Sequence, residues 1–256
     1  MAISFTHWQI LKELKARGVL PQGGRILEIG EANWYGDCDP SEILSAIPGE
    51  LPSQTVVDKA KEMLGDCDSF SVAKVMYSIL FKSKKVDSID LDPTRPDALK
   101  CDLNQPITAA QLDAHHRYDV AYNHGTAEHI FNIAQVFRTM HDATQAGGLL
   151  IHESPFTGWV DHGFYCLQPT LFWDVAAAND YKMEFVGVEH LASRTWFEVE
   201  SREQLLEMKQ RDQLPDNAML FVVMRKQLPQ EFKIPQQGIY AGNVSRQAQA
   251  AWRELR

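Results

Sequence analysis

The chain has 256 residues, an apolar content of 45% and a formal net charge of −9 at pH 7. This length fits one domain, or one domain with a substantial insertion, and allows a large core. The negative charge argues against a long nucleic-acid interface, because binding to phosphates requires a cluster of Lys and Arg. The densest basic run, Lys82 with Lys84 and Lys85, is short and typical of a solvated helix end. We therefore expect a small or neutral partner and no nucleic acid.

The sequence predicts no membrane segment and no secretion signal. No apolar run approaches the roughly 18 residues that a membrane-spanning helix needs, and the first residues alternate charged and apolar side chains without a cleavage site. Cys38, Cys67, Cys101 and Cys166 are widely spread and form no CxxC pair. Scattered cysteines of this kind are typical of a reducing compartment. We expect a cytoplasmic protein without a membrane partner.

Strand and helix patterns alternate along the chain, which predicts an α/β sheet. The first element is an amphipathic helix around Trp8 and Leu14 that ends near Gly18. The predicted strands are Arg25–Ile29, Lys85–Leu91, Ala98–Cys101, Tyr118–Tyr122, Leu149–His152, Lys182–Leu191 and Ala218–Arg225. The further predicted helices are Ser69–Phe81, Ala127–Thr144, Pro169–Asn179, Ser201–Lys209 and Val244–Leu255.

Two regions do not fit a minimal α/β core. Glu31–Asp68 is too long for a simple turn, and it contains helix patterns at Pro40–Ala46 and Thr55–Leu64. We interpret it as an inserted helical cap. The polar tail, residues 227–256, follows the main domain, residues 1–226. We expect the tail to pack on that domain or on a second subunit. In the second case the protein would form a homo-oligomer.

The stretch Arg25–Gly36, RILEIGEANWYG, carries the first site signal. A ligand in a doubly wound sheet binds beyond the carboxyl ends of the strands. Gly30 lets the backbone approach a ligand that a β-carbon would block. Glu28 and Glu31 suit a ligand with positive charge, and the GxGxxG turn of a dinucleotide site is missing.

The next two strands also end in acidic residues. Asp90, in SIDLD, is placed to accept the hydroxyls of a ribose, whereas Asp92 precedes Pro93 and fits a turn. Asp102 follows the third strand and is followed by the apolar Leu103. Acidic residues at three successive strand ends are unlikely to occur by accident.

The segment YDVAYNHGTAEHIFNIAQVFRTMHDATQAGGLLIHESPF completes the pattern. It contains a strand beginning with Asp, a glycine-containing loop, a Glu-His pair at a helix start and a Gly-Gly turn into the next strand. With the earlier motifs, the chain resembles the class I S-adenosylmethionine (SAM)-dependent methyltransferases over residues 25–225, apart from the insertion. The resemblance implies a Rossmann-like seven-stranded sheet in the order 3-2-1-4-5-7-6, with the last strand antiparallel.

The same resemblance implies an enzyme that uses SAM as its cofactor, and it assigns residues to the cofactor. SAM carries an ammonium and a sulfonium group but no phosphate, so acidic residues near Gly30 are suited to it. The implied SAM-binding residues are Glu28, Gly30, Glu31, Asp90, Asp102, Leu103 and Asn123. His124 would lie beside the departing methyl group.

Two further segments resemble bacterial methyltransferases found with polysaccharide and glycan biosynthesis. They are VDHGFYCLQPTLFWDVAAANDY, at Val160–Tyr181, and FKIPQQGIY, at Phe232–Tyr240. This resemblance implies methyl transfer to an oxygen of a small molecule or a glycan. Aromatic residues near the expected acceptor site, including Trp34, Tyr35, Phe156 and Trp173, suit a sugar or a planar ring.

Transfer to a hydroxyl requires an aligned acceptor and removal of a proton, a role that suits histidine. We predict His162 as the base, with Asp161 or Glu153 orienting it, and keep His124 as the second candidate. His129 is expected to pack under the loop.

His152, Glu153, Asp161 and His162 could in principle bind a metal. No HxxxH or HExxH spacing supports one, so we predict no metal. The alternative to an enzyme is a noncatalytic SAM-fold binding protein, and an NAD-dependent oxidoreductase is disfavoured.

Overall fold

The computed structural model describes residues 2–34, 69–107, 111–112, 117–242 and 244–254. Ten strands lie within these ranges: β1 (Ala2–Ile3), β2 (Arg25–Ile29), β3 (Asn33–Trp34), β4 (Lys85–Asp90), β5 (Leu99–Lys100), β6 (Tyr118–His124), β7 (Thr144–Pro155), β8 (Tyr181–His190), β9 (Thr195–Glu198) and β10 (Ala218–Lys226). Eight of them form one sheet in the order β5-β4-β2-β6-β7-β10-β8-β9, while β1 and β3 pair in parallel as a small second sheet.

Seven α-helices are described, together with 3₁₀ turns at Ala127–His129 and Leu191–Ser193. The helices are α1 (Phe5–Ala16), α2 (Ser69–Phe81), α3 (Ile133–Ala143), α4 (Pro169–Ala178), α5 (Arg202–Gln210), α6 (Gly238–Ala241) and α7 (Arg246–Glu254). None of the helices in the described ranges has the length and apolarity needed to cross a lipid bilayer.

The predicted fold class is confirmed, and the sheet differs from the predicted one in having eight strands rather than seven. Counted in chain order, the seven predicted strands occur in the order 3-2-1-4-5-7-6, and β10 is antiparallel to both β7 and β8. An eighth strand, β9, which the sequence did not predict, extends the edge by pairing antiparallel with β8. The predicted helices inside the insertion, and Tyr35, lie outside the described residues.

The predicted helix at Ala127–Thr144 is shorter in the structure. The Asn123 side chain accepts hydrogen bonds from the backbone N–H groups of Thr126 and Ala127, which forms a tight turn before α3 begins at Ile133. The following strand begins at Thr144 rather than Leu149. A β-carbon on Gly148 would come within 3.0 Å of the Asp119 carbonyl oxygen, so a glycine lets β7 approach β6 closely.

Alternate residues of the strands pack on opposite faces of the sheet. On one face, α1 and α2 cover a core that includes Trp8, Tyr77, Tyr122 and Phe221. On the other face, α3 and α4 cover a core of aliphatic and aromatic side chains. The tail follows β10 and contacts α4, since the Asp174 carboxylate accepts a hydrogen bond from the Gly238 backbone.

Candidate active site at the carboxyl edge of the sheet

The sheet has a topological switch point between β2 and β6. The chain moves from β2 outward to β4 and β5 and then returns to β6 on the other side of β2. Ligands of open α/β sheets bind beyond the carboxyl ends of the strands at such a point. Gly30, which ends β2, has a φ of +84° and donates its N–H to the Ile89 carbonyl at 2.7 Å. The Thr126 hydroxyl donates to the Ile29 carbonyl, which ties the loop after β6 to the same place.

Asp90 and Asp102 lie at the ends of the next two strands. Each Asp90 oxygen accepts one backbone hydrogen bond, from Glu31 at 3.0 Å and from Asp92 at 3.1 Å. A carboxylate oxygen can accept two, so Asp90 keeps acceptor capacity. Asp102 is exposed, and hydrogen bonds from the Asn104 backbone and side chain lower the pKa of its carboxyl. The neighbouring Leu103 is buried in the core.

Glu28 and Glu31 are already engaged in ion pairs within the chain. Glu28 is fully buried and its Oε2 lies 2.6 Å from Lys74 Nζ. Burial lowers the pKa of Lys74, against the attraction of Glu28. Glu31 accepts hydrogen bonds from Arg95 Nε at 3.1 Å and from the Thr94 backbone at 2.5 Å. The predicted role of both carboxylates toward SAM stays a prediction, and their observed contacts hold the first turn in place.

Asn123 and His124 form the end of β6, where both side chains are buried. The Asn123 amide donates to the Glu153 carbonyl at 3.1 Å and caps the turn described above. His124 Nε2 lies 2.6 Å from the Tyr77 hydroxyl, and the ring stacks on Tyr122 with centroids 3.4 Å apart. Burial lowers the pKa of His124. Their predicted roles beside the methionine part of SAM are not tested by these contacts.

His124 also belongs to a buried cluster of ionisable groups, which we call the His7 cluster. Its members are His7, His124, Glu153 and Glu189. His7 Nε2 lies 2.8 Å from Glu153 Oε1 and 3.1 Å from Glu189 Oε2. Burial opposes ionisation of Glu153, but the two histidines outweigh it and lower the pKa of its carboxyl. Burial raises the pKa of Glu189. Sequence reasoning missed His7, because only the fold brings α1 against the ends of β7 and β8.

His162 lies in the loop after β7, and its side chain is 39% exposed. Its Nε2 lies 4.0 Å from Glu128 Oε1. Glu153, predicted as an orienting group, instead contacts His7 and His124. Burial raises the pKa of Glu128 to about 8. The Glu-His pair at 128–129 was visible in the sequence, but nothing in the spacing connected it with His162.

A cavity of about 490 Å³ opens elsewhere, between α4, α5 and the tail. Its lining includes Phe156, Trp173, Arg202 and Trp252. None of the predicted site residues lines it, although Phe156 and Trp173 belong to the aromatic set expected near the acceptor.

No protein-family profile and no curated protein matches this chain. Among solved structures it is similar to an S-adenosylmethionine-dependent methyltransferase from Mesorhizobium loti, at 14% identity and a TM-score of 0.43, over 86% of this chain and 97% of that one. It is also similar to the N-methyltransferase NodS from Bradyrhizobium japonicum, at 12% identity and a TM-score of 0.41, over 86% of this chain and 94% of that one. Similarity at this level does not assign a function to the chain.

Proposed function

We propose that this chain is a SAM-dependent methyltransferase that transfers the methyl group to an oxygen of a small molecule or a glycan. The observation that carries the proposal is the arrangement at the switch point. Gly30 takes the left-handed conformation directly after β2. Asp90 ends β4, the neighbour of β2, and Asp102 follows β5, which lies on the far side of β4.

The donor set of this edge fits SAM. The remaining acceptor capacity of Asp90 suits the two ribose hydroxyls, and the exposed Asp102 suits the adenine amino group. The edge is acidic, which favours a ligand with two positive groups.

NAD fits the same edge poorly. A dinucleotide site needs a helix N-terminus directly after the first turn, so that backbone N–H groups meet the pyrophosphate. Here the turn at Gly30 leads into β3, at Asn33–Trp34, which pairs with β1.

Bound SAM would supply an electrophilic methyl group, and the protein would align the acceptor and take its proton. His162 is partly exposed on the same edge of the sheet, which suits a general base. Glu128 Oε1 lies 4.0 Å from His162 Nε2, and it is the nearest carboxyl oxygen recorded for this ring. We keep His124 as the second candidate, although its Nε2 hydrogen bond with Tyr77 ties it to the core.

We also place the protein in the cytoplasm. The thiols of Cys101 and Cys166 are both free, which is consistent with a reducing compartment. Association through the tail, which would give a homo-oligomer, is a further part of the proposal.

Calorimetry with SAM and with NAD tests the cofactor assignment. We expect SAM to bind and NAD to give no heat. Asp90→Ala should weaken SAM binding at least about 30-fold, since it removes a carboxylate that would accept two hydroxyls. Asp92→Ala is the matched control, because Asp92 lies in the same loop with a side chain that is 95% exposed, and it should bind like the wild type. The proposed SAM site would be contradicted if the protein bound NAD but not SAM, or if Asp90→Ala bound SAM with unchanged affinity.

A further inference from the structure

Glu128, His129 and His162 converge at the carboxyl edge, between the loops that follow β6 and β7. One ligand atom from each residue lies within 4.8 Å of the others. The Glu128 carboxyl is 1% exposed, and neither of its oxygens has a hydrogen-bond partner within the described parts of the chain. A buried, unsatisfied carboxyl is costly unless something binds it. These three residues are called the Glu128 cluster below.

The backbone around the cluster is built to hold it. A β-carbon on Gly163 would come within 3.1 Å of the Glu128 carbonyl oxygen and 3.2 Å of His129 Nδ1, so a glycine at residue 163 favours this close approach of the loop. The Phe164 N–H also donates to the Glu128 carbonyl at 2.8 Å. The two loops are therefore fixed against each other at the cluster.

The loop that carries His162 is strained. Trp159 and Asp161 have φ values of +54° and +62°, in the left-handed region that non-glycine residues rarely adopt. Strain of this kind persists where the surroundings enforce it, often at functional sites. Here Trp159 is held by hydrogen bonds to Asn217 Oδ1 and to the Ala218 carbonyl.

Two imidazoles and one carboxylate are a donor set that suits a divalent transition ion. Ligand bonds of about 2.0–2.1 Å to zinc place tetrahedral ligand atoms roughly 3.4 Å apart. The observed separations of up to 4.8 Å therefore need a movement of about 1 Å or a little more, which the exposed side chains of His129 and His162 can make. Three protein ligands leave a coordination position open, as in catalytic rather than structural zinc sites.

We propose that the Glu128 cluster binds one Zn²⁺ ion through Glu128, His129 and His162. The sequence did not indicate this site, because its ligands come from two loops and show no HxxxH or HExxH spacing. In the zinc-bound protein His162 is a ligand and is not free to act as a base. If the proposed methyl transfer also holds, on which this step rests, an acceptor hydroxyl at the open position would lose its proton because the metal lowers its pKa.

Calorimetry with Zn²⁺ on chelator-treated full-length protein tests the site. We expect one ion per chain with micromolar or tighter affinity. Co²⁺, added as a spectroscopic substitute, should give visible d–d absorption that Zn²⁺ abolishes. His129→Gln and His162→Gln alter exposed side chains that are not part of the core, so the fold should be kept, and each should weaken Zn²⁺ binding about 100-fold.

Two control variants test the ligand set. The His190→Gln variant should bind Zn²⁺ like the wild type. His190 ends β8, where its side chain is hydrogen-bonded to Ser193. Cys166→Ser should also retain binding; its loss would mean that the exposed Cys166 thiol is a ligand and would overturn the set as proposed. Absence of Zn²⁺ binding in the wild type, or binding unchanged in both histidine variants, would overturn the site itself. SAM binding is measured in a separate titration of the metal-free protein. A failure of the cofactor assignment is therefore distinguishable from a failure of the metal site.

Discussion

His152 and Glu153 are neighbours in β7 but lie in opposite environments. His152 is on the face covered by α3 and α4, where its ring stacks on Phe137 with centroids 4.6 Å apart. Neither of its nitrogens has a hydrogen-bond partner within the described parts of the chain. Glu153 is on the face covered by α1 and α2, where it belongs to the His7 cluster and pairs with His7. One strand therefore separates an apolar layer from a layer of buried charge.

The difference shows what each face tolerates. In the apolar layer a histidine is kept neutral, because burial lowers the pKa of His152 to about 3. In the charged layer a carboxylate is kept ionised, because histidines outweigh the cost of burying Glu153. Burial acts on both residues, and only the second has partners that compensate for it.

The largest expected effect comes from Glu153→Gln. This change removes the negative charge that pairs with His7 at 2.8 Å and leaves buried polar groups without compensation. The free energy of unfolding should fall by about 3 kcal/mol, as measured by urea denaturation at pH 7. The matched control is Glu189→Gln, which should cost less than Glu153→Gln, because burial raises the pKa of Glu189 and so disfavours its ionised form. Equal losses in the two variants would contradict the assigned charges.

A smaller effect is expected from pH. The pKa of His152 is about 3 in the folded protein and near its ordinary value of 6.5 in the unfolded chain. Between these values the unfolded chain binds the additional proton, so His152 contributes stability above pH 6.5 that is lost as the pH falls. Between these two pKa values, His152 makes the free energy of unfolding fall by up to about 1.4 kcal/mol for each pH unit.

His152→Phe isolates this contribution, because it keeps an aromatic ring against Phe137 and Phe172. Urea denaturation between pH 6.5 and 5 should show a shallower loss of stability in the variant than in the wild type. At pH 7 the two proteins should differ by less than about 1.5 kcal/mol. Parallel pH curves would show that His152 is not the buried neutral group described here.

The alternation of short β-rich runs with amphipathic helices predicted the strands of the sheet, whereas their order was implied by the resemblance to class I methyltransferases. The positions of Gly30 and Asp90 at strand ends were also predicted, since an apolar run precedes each of them; their role toward SAM stays a prediction. Placement at a strand end is a local property, and the sheet topology then brings such ends together. The same reasoning missed β9, whose partner β8 could not be inferred from its own four residues.

The contacts that the sequence did not reveal are those between distant elements. His7 on α1 meets Glu153 only after helix and sheet pack together, and Glu128 meets His162 only after two loops are fixed by Gly163. Neither contact corresponds to a recognisable spacing of residues in the sequence. The start of α3 was also predicted too early, because the Asn123 side chain forms a turn where periodicity alone suggested a helix.

Methyl transfer from labelled SAM to the small-molecule and glycan fractions of a cell extract tests the central claim most directly. The account predicts labelled product with wild-type protein, almost none with Asp90→Ala, and none with His162→Ala even though that variant still binds SAM. Label in the product of both variants at the wild-type rate would contradict the site. Firm SAM binding with no labelled acceptor in any fraction would contradict the enzyme and favour a noncatalytic SAM-binding protein.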